Sequence, residues 1–529
     1  MVTGSRFAVG TVFALALLAA IPLFPAPAMA QFPGGFLEKT YSTDVRPLMT
    51  ASQIQAMLPT RGLFTFPSPY NTQGVRITNG SDCGGGGDCV NSVGYSYWRN
   101  INNHAGSDTM YIFLGLNRGA GGTGPTLFSY NKVADEVTNL GPLFDPNSAL
   151  GWGSGEGWYF SATQPTKLYV NDGPRLLRYD ILSKQFETAF DVSTAPGLLG
   201  SNRIIWQIHS SNDDRVHSAT LKDGSSYASL GCVAYDEGQA RFHYFPARGD
   251  FDECQIDKSG RFLVIKENVD GIAGEDNRII DLTTDTETVL LDQDGAAGHS
   301  DNGFGYMLAS DNWNNLPGAQ RVWSLGQNPL PPGPVVYYDP SWFPGSIQHV
   351  SFANAKAGVA PEQQYACGSG ANAANGTRSN EIVCFRLDTT YDVLVVAPVM
   401  TDMNASGGGD TYSKLPKGNL DVTGQYMIWT SNMGTGRQDA FLVKIPSQLL
   451  VAGGGGGDTT PPTVSISAPS TGATVAGTIT VTATATDNVG VAGVQFKLDG
   501  ANLGAEVTAA PYTVAWNTTT AANGAHSLT

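Results

Sequence analysis

Positive charge is in short supply: Lys and Arg number 30 against 46 Asp and Glu, a formal net charge of −16, and only 14% of the 529 residues are charged. A chain so acidic lacks the electrostatic footprint for non-specific binding to nucleic acid or an anionic membrane. Its surface as a whole does not attract a polyanion either, which leaves only a local basic pocket for that purpose. Long apolar runs are equally scarce. The run from Phe7 to Phe24 follows the single cation Arg6, is interrupted by Pro22, and is succeeded by Pro25, Pro27 and the small-residue site Ala28-Met29-Ala30. That is the layout of a secretory signal peptide rather than a membrane anchor, and cleavage after Ala30 is expected. No other segment is apolar enough to span a bilayer. The mature protein is therefore expected to be soluble and secreted, at the cell surface or in the periplasm, with no membrane span.

Cysteine is sparse but even in number. Six cysteines in an exported chain suggest disulfides. Of fifteen pairings, the favoured set joins Cys83 to Cys89 around the Gly84 to Gly87 tip and Cys367 to Cys384 around a Gly/Asn/Ala-rich loop, leaving Cys232 with Cys254 by elimination. A zinc site is the competing reading, but no pair has the two-residue spacing common among zinc ligands. What the chain has in abundance is glycine, 64 residues, beside 41% hydrophobic residues. The combination argues against disorder and for a turn-rich all-β protein.

Between residues 90 and 450 one short phrase returns seven times. The copies are Leu127 to Tyr130, Leu176 to Tyr179, Cys232 to Tyr235, Ile279 to Leu282, Val322 to Leu325, Ile382 to Phe385 and Ala440 to Val443. Their last residues are 49, 56, 47, 43, 60 and 58 residues apart, the size of four short strands with their turns. The spacing predicts a seven-bladed β-propeller over residues 90–450, with a β-sandwich as the alternative. Asp257-Lys258-Ser259-Gly260 and Asp421-Val422-Thr423-Gly424 read as the same tight hairpin, in which aspartate satisfies the turn backbone and glycine takes the positive φ. The seventh copy dissolves into Gly453 to Gly457 before an outermost strand can form. A strand from the 31–89 extension, at Gly62 to Phe66 or Gly74 to Thr78, is expected to close the ring and remove the exposed edge.

After a 451–462 linker, residues 463–529 alternate as in a sandwich. Ala485 to Gly490, Gln495 to Gly500 and Asn523 to His526, with the Thr-Pro-Pro entry at Thr460, resemble bacterial immunoglobulin-like repeats. The resemblance implies a spacer or attachment domain, one that ends here as the next strand begins and so reads as truncated. His526 is read as a strand residue.

Histidine is rare enough to place one by one. His104, His209 and His299 each precede their blade marker by 26 residues, and His349 precedes its own by 36, which an insertion in its blade would explain. Equivalent positions in successive blades lie on a ring about the axis, so these four imidazoles are expected to converge and could bind a metal or share acid/base work. Gln255 or Glu253 would join from blade four, and Asn419 or Lys417 from blade seven. Tyr97, Arg99, Arg203 and Arg215 are near enough in sequence to line the same mouth. The bland alternative is a wet channel with polar fillers. His217 and His243 fall on later strands and are read as structural or solvated.

A secreted seven-bladed ring with histidines and a glutamine on its innermost strands resembles the oligogalacturonate lyase family and, more distantly, the ulvan lyases. The resemblance implies a divalent metal, manganese or calcium, held by His209, Gln255, His299 and His349. Such a metal neutralises a uronate carboxylate while the adjacent proton is removed. His104, His209, His299, His349 and Arg99 would then be the catalytic candidates. The phrase Asp-x-Ser-Gly-Arg-Phe at Asp257 also resembles Tol-associated propellers, which bind partners and catalyse nothing.

No Gly-x-Ser-x-Gly elbow, phosphate loop or His-Glu-x-x-His helix is present. Acidic pairs such as Asp252-Glu253, Asp213-Asp214 and Glu275-Asp276 could serve a glycosidase if their spacing allowed, but most read as solvated turn residues, and the Asp301-Asn302-Gly303 loop lacks a full calcium ligand set. The sequence thus leads to an exported carbohydrate-active propeller, a metal-assisted lyase on a uronate-containing glycan. The alternative is a non-catalytic glycan- or protein-binding adhesion protein. Its partners would be a glycan or cell-surface component and not nucleic acid, and it would act as a monomer.

Overall fold

Seven separate antiparallel sheets, taken in chain order, account for residues 101–444 of the computed structural model. The structure describes residues 31–529 except 85–86, 91–92, 146–147, 149, 151–156, 273, 295–296, 312–315, 317–318, 328–332, 340–348, 451–462, 487–492 and 508–510. The expected signal peptide and the glycine linker lie outside the described residues. The sheets are the blades of a β-propeller. Blade three, for instance, runs Arg203–Ser210, Val216–Asp223, Ser229–Asp236 and Arg241–Pro246, each strand paired with the next. All seven copies of the repeated phrase fall on, or at the end of, a blade's third strand, from Gly124–Asn131 in the first blade to Asp439–Lys444 in the seventh. Apolar residues there alternate between the two inter-blade cores. One such core holds Phe262, Val264, Ile279, Met307 and Trp323 between blades four and five. Each side chain buried this way contributes about 1.5–3 kcal/mol.

The seventh blade supplies only three strands from its own stretch, Asn419–Leu420, Tyr426–Ser431 and Asp439–Lys444. Gln73–Arg76 pairs antiparallel with Asp439–Lys444, and Gly62–Thr65 pairs with Gln73–Arg76. Both candidate N-terminal strands therefore belong to this blade, as its fourth and fifth members. Phe36–Lys39 adds a fifth strand to blade six in the same way, covering its outer edge. Between them the helix Ala51–Met57 begins at a capping box, with Thr50 accepting from Gln53 N–H and the Gln53 side chain returning to Thr50 N–H.

The two predicted hairpins join the first strand of a blade to its second. Asp257 Oδ1 accepts from the backbone N–H groups of Arg261 and Phe262, both at 2.9 Å, and Gly260 has φ +75°. Asp421 accepts from Thr423 and Tyr426 at 2.9 and 2.8 Å, with Gly424 again at φ +75°. The three disulfides are Cys83–Cys89, Cys232–Cys254 and Cys367–Cys384. The second ties the third strand of blade three to the first strand of blade four, beside Glu253 and Gln255. The third joins residues directly opposite one another on neighbouring strands of blade six.

In the C-terminal domain, Thr463–Ala468, Thr478–Thr486 and Tyr512–Asn517 form a three-stranded sheet, and Lys497–Leu498 pairs with Ala501–Asn502. Val481, Phe496 and Trp516 sit at its core. His526 bonds Asp499 at 2.6 Å and the carbonyl of Ala522 at 2.7 Å, a local clasp near the surface.

Candidate functional site

The first strand of each blade lines the propeller axis, and its polar residues decide what the channel holds. Tyr159, His209, Gln255 and Asp301 are each the penultimate residue of the innermost strand in blades two to five. Together with Tyr97, Trp98, Arg99, Ser210, Lys258 and Asn302 they surround a small cavity of about 30 Å³. The channel itself is filled. The segment Val93 to Arg99, entering blade one, reaches across the ring to the first strands of distant blades. Trp98 stacks on His209 at 5.5 Å and donates from Nε1 to the Ile208 carbonyl at 3.0 Å. Tyr97 lies 5.4 Å from the His209 ring and donates to Glu253 at 3.0 Å. Tyr95 packs edge-on against His349 at 4.8 Å and shares a 2.5 Å hydrogen bond with Tyr412, over which Lys417 Nζ sits at 3.8 Å from the ring centroid.

The sequence-chosen histidines are spread along the axis rather than gathered at one level. His209 is next to last in its strand, His349 is the first residue of His349–Ser351, and His104 lies beyond the end of Ile101–Asn102. An equal offset from the third strand did not mean an equal height, because the turns between strands differ in length. His104 bonds Asn102 Oδ1 at 2.5 Å, and burial, with Arg99 and Lys132 nearby, lowers its pKa. The His299 side chain lies outside the described residues. Arg99 is 5% exposed, bonds the Phe160 carbonyl at 3.0 Å and covers the Tyr159 ring at 5.4 Å. Arg203 pairs instead with Asp223 at 2.8 Å.

Glu253 organises the buried charge. Its carboxylate accepts from Tyr97, from Gln255 Nε2 at 2.7 Å and from Lys266 Nζ at 3.2 Å, with His209 Nε2 at 3.9 Å. Burial works to raise its pKa, but Lys266 and His209 overcome this and hold it at about 2. Lys266 is raised in return: burial pulls it down, and Glu253, Glu275 and Asp252 outweigh that. Glu275, with burial as the main cause and Asp252 and Glu253 adding to it against Lys266, is pushed up to about 7. Across the cavity, Lys258 donates to Asp301 at 2.7 Å and to the Asn302 carbonyl, while burial lowers its pKa against the pull of Asp301.

Of the expected metal ligands, Gln255 is committed to other partners, His209 and His349 pack against aromatic rings, and the His299 side chain lies outside the described residues. The Gln255 carbonyl oxygen accepts from Asn302 Nδ2 at 3.0 Å and its amide nitrogen is committed to Glu253. Tyr95 and Tyr97 stand against His349 and His209 respectively, so the two imidazoles face aromatic rings. Among the described residues, the group whose ligand atoms lie within 4.8 Å of one another is Asp270, Asp276 and Asp292. The Asp276 carboxylate already accepts from the backbone N–H groups of Val269, Asp270 and Asp292.

Sequence reasoning missed a chain of hydrogen bonds that leaves the cavity through blade three. Tyr159 donates to Ser210 Oγ at 2.5 Å, Ser210 meets His217 Nδ1 at 2.5 Å, and His217 Nε2 meets Glu237 Oε1 at 2.6 Å. Arg178 pairs with Glu237 at 2.5 Å from blade two. The signal was the pairing of Ser210 with His217 across adjacent strands, which needs the hairpin register to be seen.

A seven-bladed propeller followed by an immunoglobulin-like domain is the class of protein these features define. Residues 462–529 match the bacterial Ig domain family. No curated protein of known function matches the chain. Among solved structures it is similar to an oligogalacturonate lyase in complex with manganese, at 12% identity over 77% of this chain and 99% of that one, with a TM-score of 0.50. The oligogalacturonate lyase of Vibrio parahaemolyticus follows at 10% identity, 77% and 99% coverage and a TM-score of 0.49. TolB from Acinetobacter baumannii is 10% identical over 55% of this chain and 63% of that one, with a TM-score of 0.33. At these identities the likeness is one of fold.

Proposed function

We propose that this chain is an exported propeller protein that binds an extracellular glycan or a cell-surface protein, with the immunoglobulin-like domain as its spacer. The filled channel carries the reading: Tyr95, Tyr97 and Trp98 pack against His349 and His209 inside the ring, and the remaining cavity of about 30 Å³ has no room for a sugar ring. Three disulfides and a bacterial Ig domain fit an extracellular or periplasmic setting. Among the described residues no helix is long and apolar enough to cross a membrane. The excess of acidic groups disfavours nucleic acid as the partner.

One observation favours the lyase as a second reading. Among the described residues His209 Nε2 is buried with no hydrogen-bond partner, and it lines the same cavity as the cations Arg99 and Lys258. The two readings separate in one experiment, in which the full chain is incubated with polygalacturonate, with and without manganese or calcium. Unsaturated products are followed by ultraviolet absorbance, and retention on the polymer is measured by affinity electrophoresis across neutral and uronate glycans. The binding reading predicts retention on some extracellular polymer and no unsaturated product. Metal-dependent product formation that disappears in His209→Ala would overturn it in favour of the lyase.

A further inference from the structure

We propose that Ser210, His217 and Glu237 form a nucleophilic site for a small acyl ester, an activity separate from the binding reading and unaffected by its failure. Ser210 is the last residue of its innermost strand and lines the central cavity. Two successive short hydrogen bonds, 2.5 Å from Ser210 Oγ to His217 Nδ1 and 2.6 Å from His217 Nε2 to Glu237, connect it to residues that do not line that cavity. A carboxylate only accepts, so Glu237 places the imidazole proton on Nε2 and leaves Nδ1 as the acceptor for the Ser210 hydroxyl. Burial opposes ionisation of Glu237, yet His217 and Arg178 bring its pKa below the usual carboxylate range, which keeps it able to accept. A hydroxyl joined to a base that a third group orients is the arrangement by which serine becomes a nucleophile, whatever the fold or the sequence order.

The surroundings suit developing negative charge. Tyr159 donates to Ser210 Oγ, and burial holds its phenol protonated. Arg99 and Lys258 line the same cavity. Fixed donors and cations in a dry site stabilise an oxyanion far better than water does. Size sets the acyl class. On the measure by which one water needs about 10–15 Å³, the space of about 30 Å³ holds about two waters, which matches an acetyl group and excludes a sugar ring or a long chain, so the substrate class is an acetyl ester, with its alcohol portion remaining outside.

The steps balance without any further reactant than water. Ser210 Oγ bonds to the ester carbonyl carbon, its proton passes to His217 Nδ1, and the carbon–oxygen bond to the alcohol breaks as the alcohol takes that proton. Water then attacks the acetyl-serine, loses its proton to the same nitrogen, and acetate leaves as Ser210 regains its hydrogen.

The test treats the intact chain with methanesulfonyl fluoride, whose reactive group is of acetyl size, and locates adducts by peptide mass spectrometry. It also follows hydrolysis of 4-nitrophenyl acetate against pH. A sulfonyl adduct on Ser210 is expected, absent in Ser210→Ala and formed at least tenfold more slowly in His217→Gln. Glu237→Gln should slow ester hydrolysis about 10²–10⁴-fold and change its pH profile, because the imidazole tautomer is no longer fixed. Thermal unfolding of each variant checks that the fold survives. A folded wild-type chain with no adduct on Ser210, or with equal hydrolysis in Ser210→Ala, would refute the site and leave the bonds as a link between blades two and three.

Discussion

Replacing Lys266 by Met removes the cation beside Glu253, a charge buried in the channel wall. Lys266 and Glu253 are each 2% exposed, and 3.2 Å separates Nζ from Oε1. At an effective dielectric of about 20 their attraction is on the order of 5 kcal/mol, and removing one partner of a buried pair costs about 3–5 kcal/mol. Glu253 would keep its bonds from Tyr97 and Gln255 but lose its main compensation for burial, and its pKa would climb from about 2. The sign follows from linkage. In the wild type a folded-state pKa depressed below the ordinary 4.5 gives stabilisation that is complete above about pH 4.5 and lost as pH falls through about 2. In the variant the carboxylate is penalised when ionised, so the deficit is largest at neutral pH and shrinks on acidification. Denaturant unfolding of the full chain, followed by tryptophan fluorescence with Trp98 stacked beside the site, measures the difference. A loss below about 1 kcal/mol at neutral pH would refute the reasoning. So would a loss that does not shrink towards pH 4.5.

The Glu275 carboxyl should titrate near 7 in carbon-detected NMR. Because its pKa is raised, the stability associated with it is present below its unfolded value and lost as pH rises through 7; a titration near 4.5 would show the loop to be open to water. Removing the Cys232–Cys254 link as a double Ala variant should cost about 3 kcal/mol from its 22-residue separation, read as a shift in the denaturation midpoint. A cost near zero would mean that blades three and four hold together without it. Gly424→Ala should destabilise by more than Gly260→Ala, although both have φ +75°, because a Cβ at Gly424 meets the Tyr365 hydroxyl and Asn354 whereas one at Gly260 meets only side-chain carbons at 3.0 Å or more. Equal losses in thermal midpoint would contradict this.

The ring was legible in the sequence because a propeller repeats one supersecondary unit. Seven third strands, from Leu127 to Val443, carry the same apolar phrase for the same reason: each packs into a core between blades. The Asp257 and Asp421 hairpins were readable because turn chemistry is local, and the closing strands because a blade short of residues leaves an edge that something must cover. The interior of the channel was legible in part: Tyr97, Arg99, His209 and Gln255, placed at one mouth from the sequence, do line a common cavity. His104 and His209 share a 26-residue spacing but not a height, since the offset counts turn residues that do not advance along the axis. Nothing local in Tyr95, Tyr97 or Trp98 says that their segment crosses the ring, because that depends on which blades it faces once closed. His217 read as structural because its contact with Ser210 runs across a hairpin, and the Gly-x-Ser-x-Gly search looks along the chain only.

Manganese binding by the full chain bears most directly on the central claim, that an aromatic plug occupies the channel and leaves no metal site there. Wild type, His209→Ala and His349→Ala are dialysed against manganese and their metal content is measured by atomic emission. The account predicts no stoichiometric ion that depends on either histidine. One manganese per chain, lost in both variants, would contradict it and show that the plug opens to assemble the ligands a lyase needs.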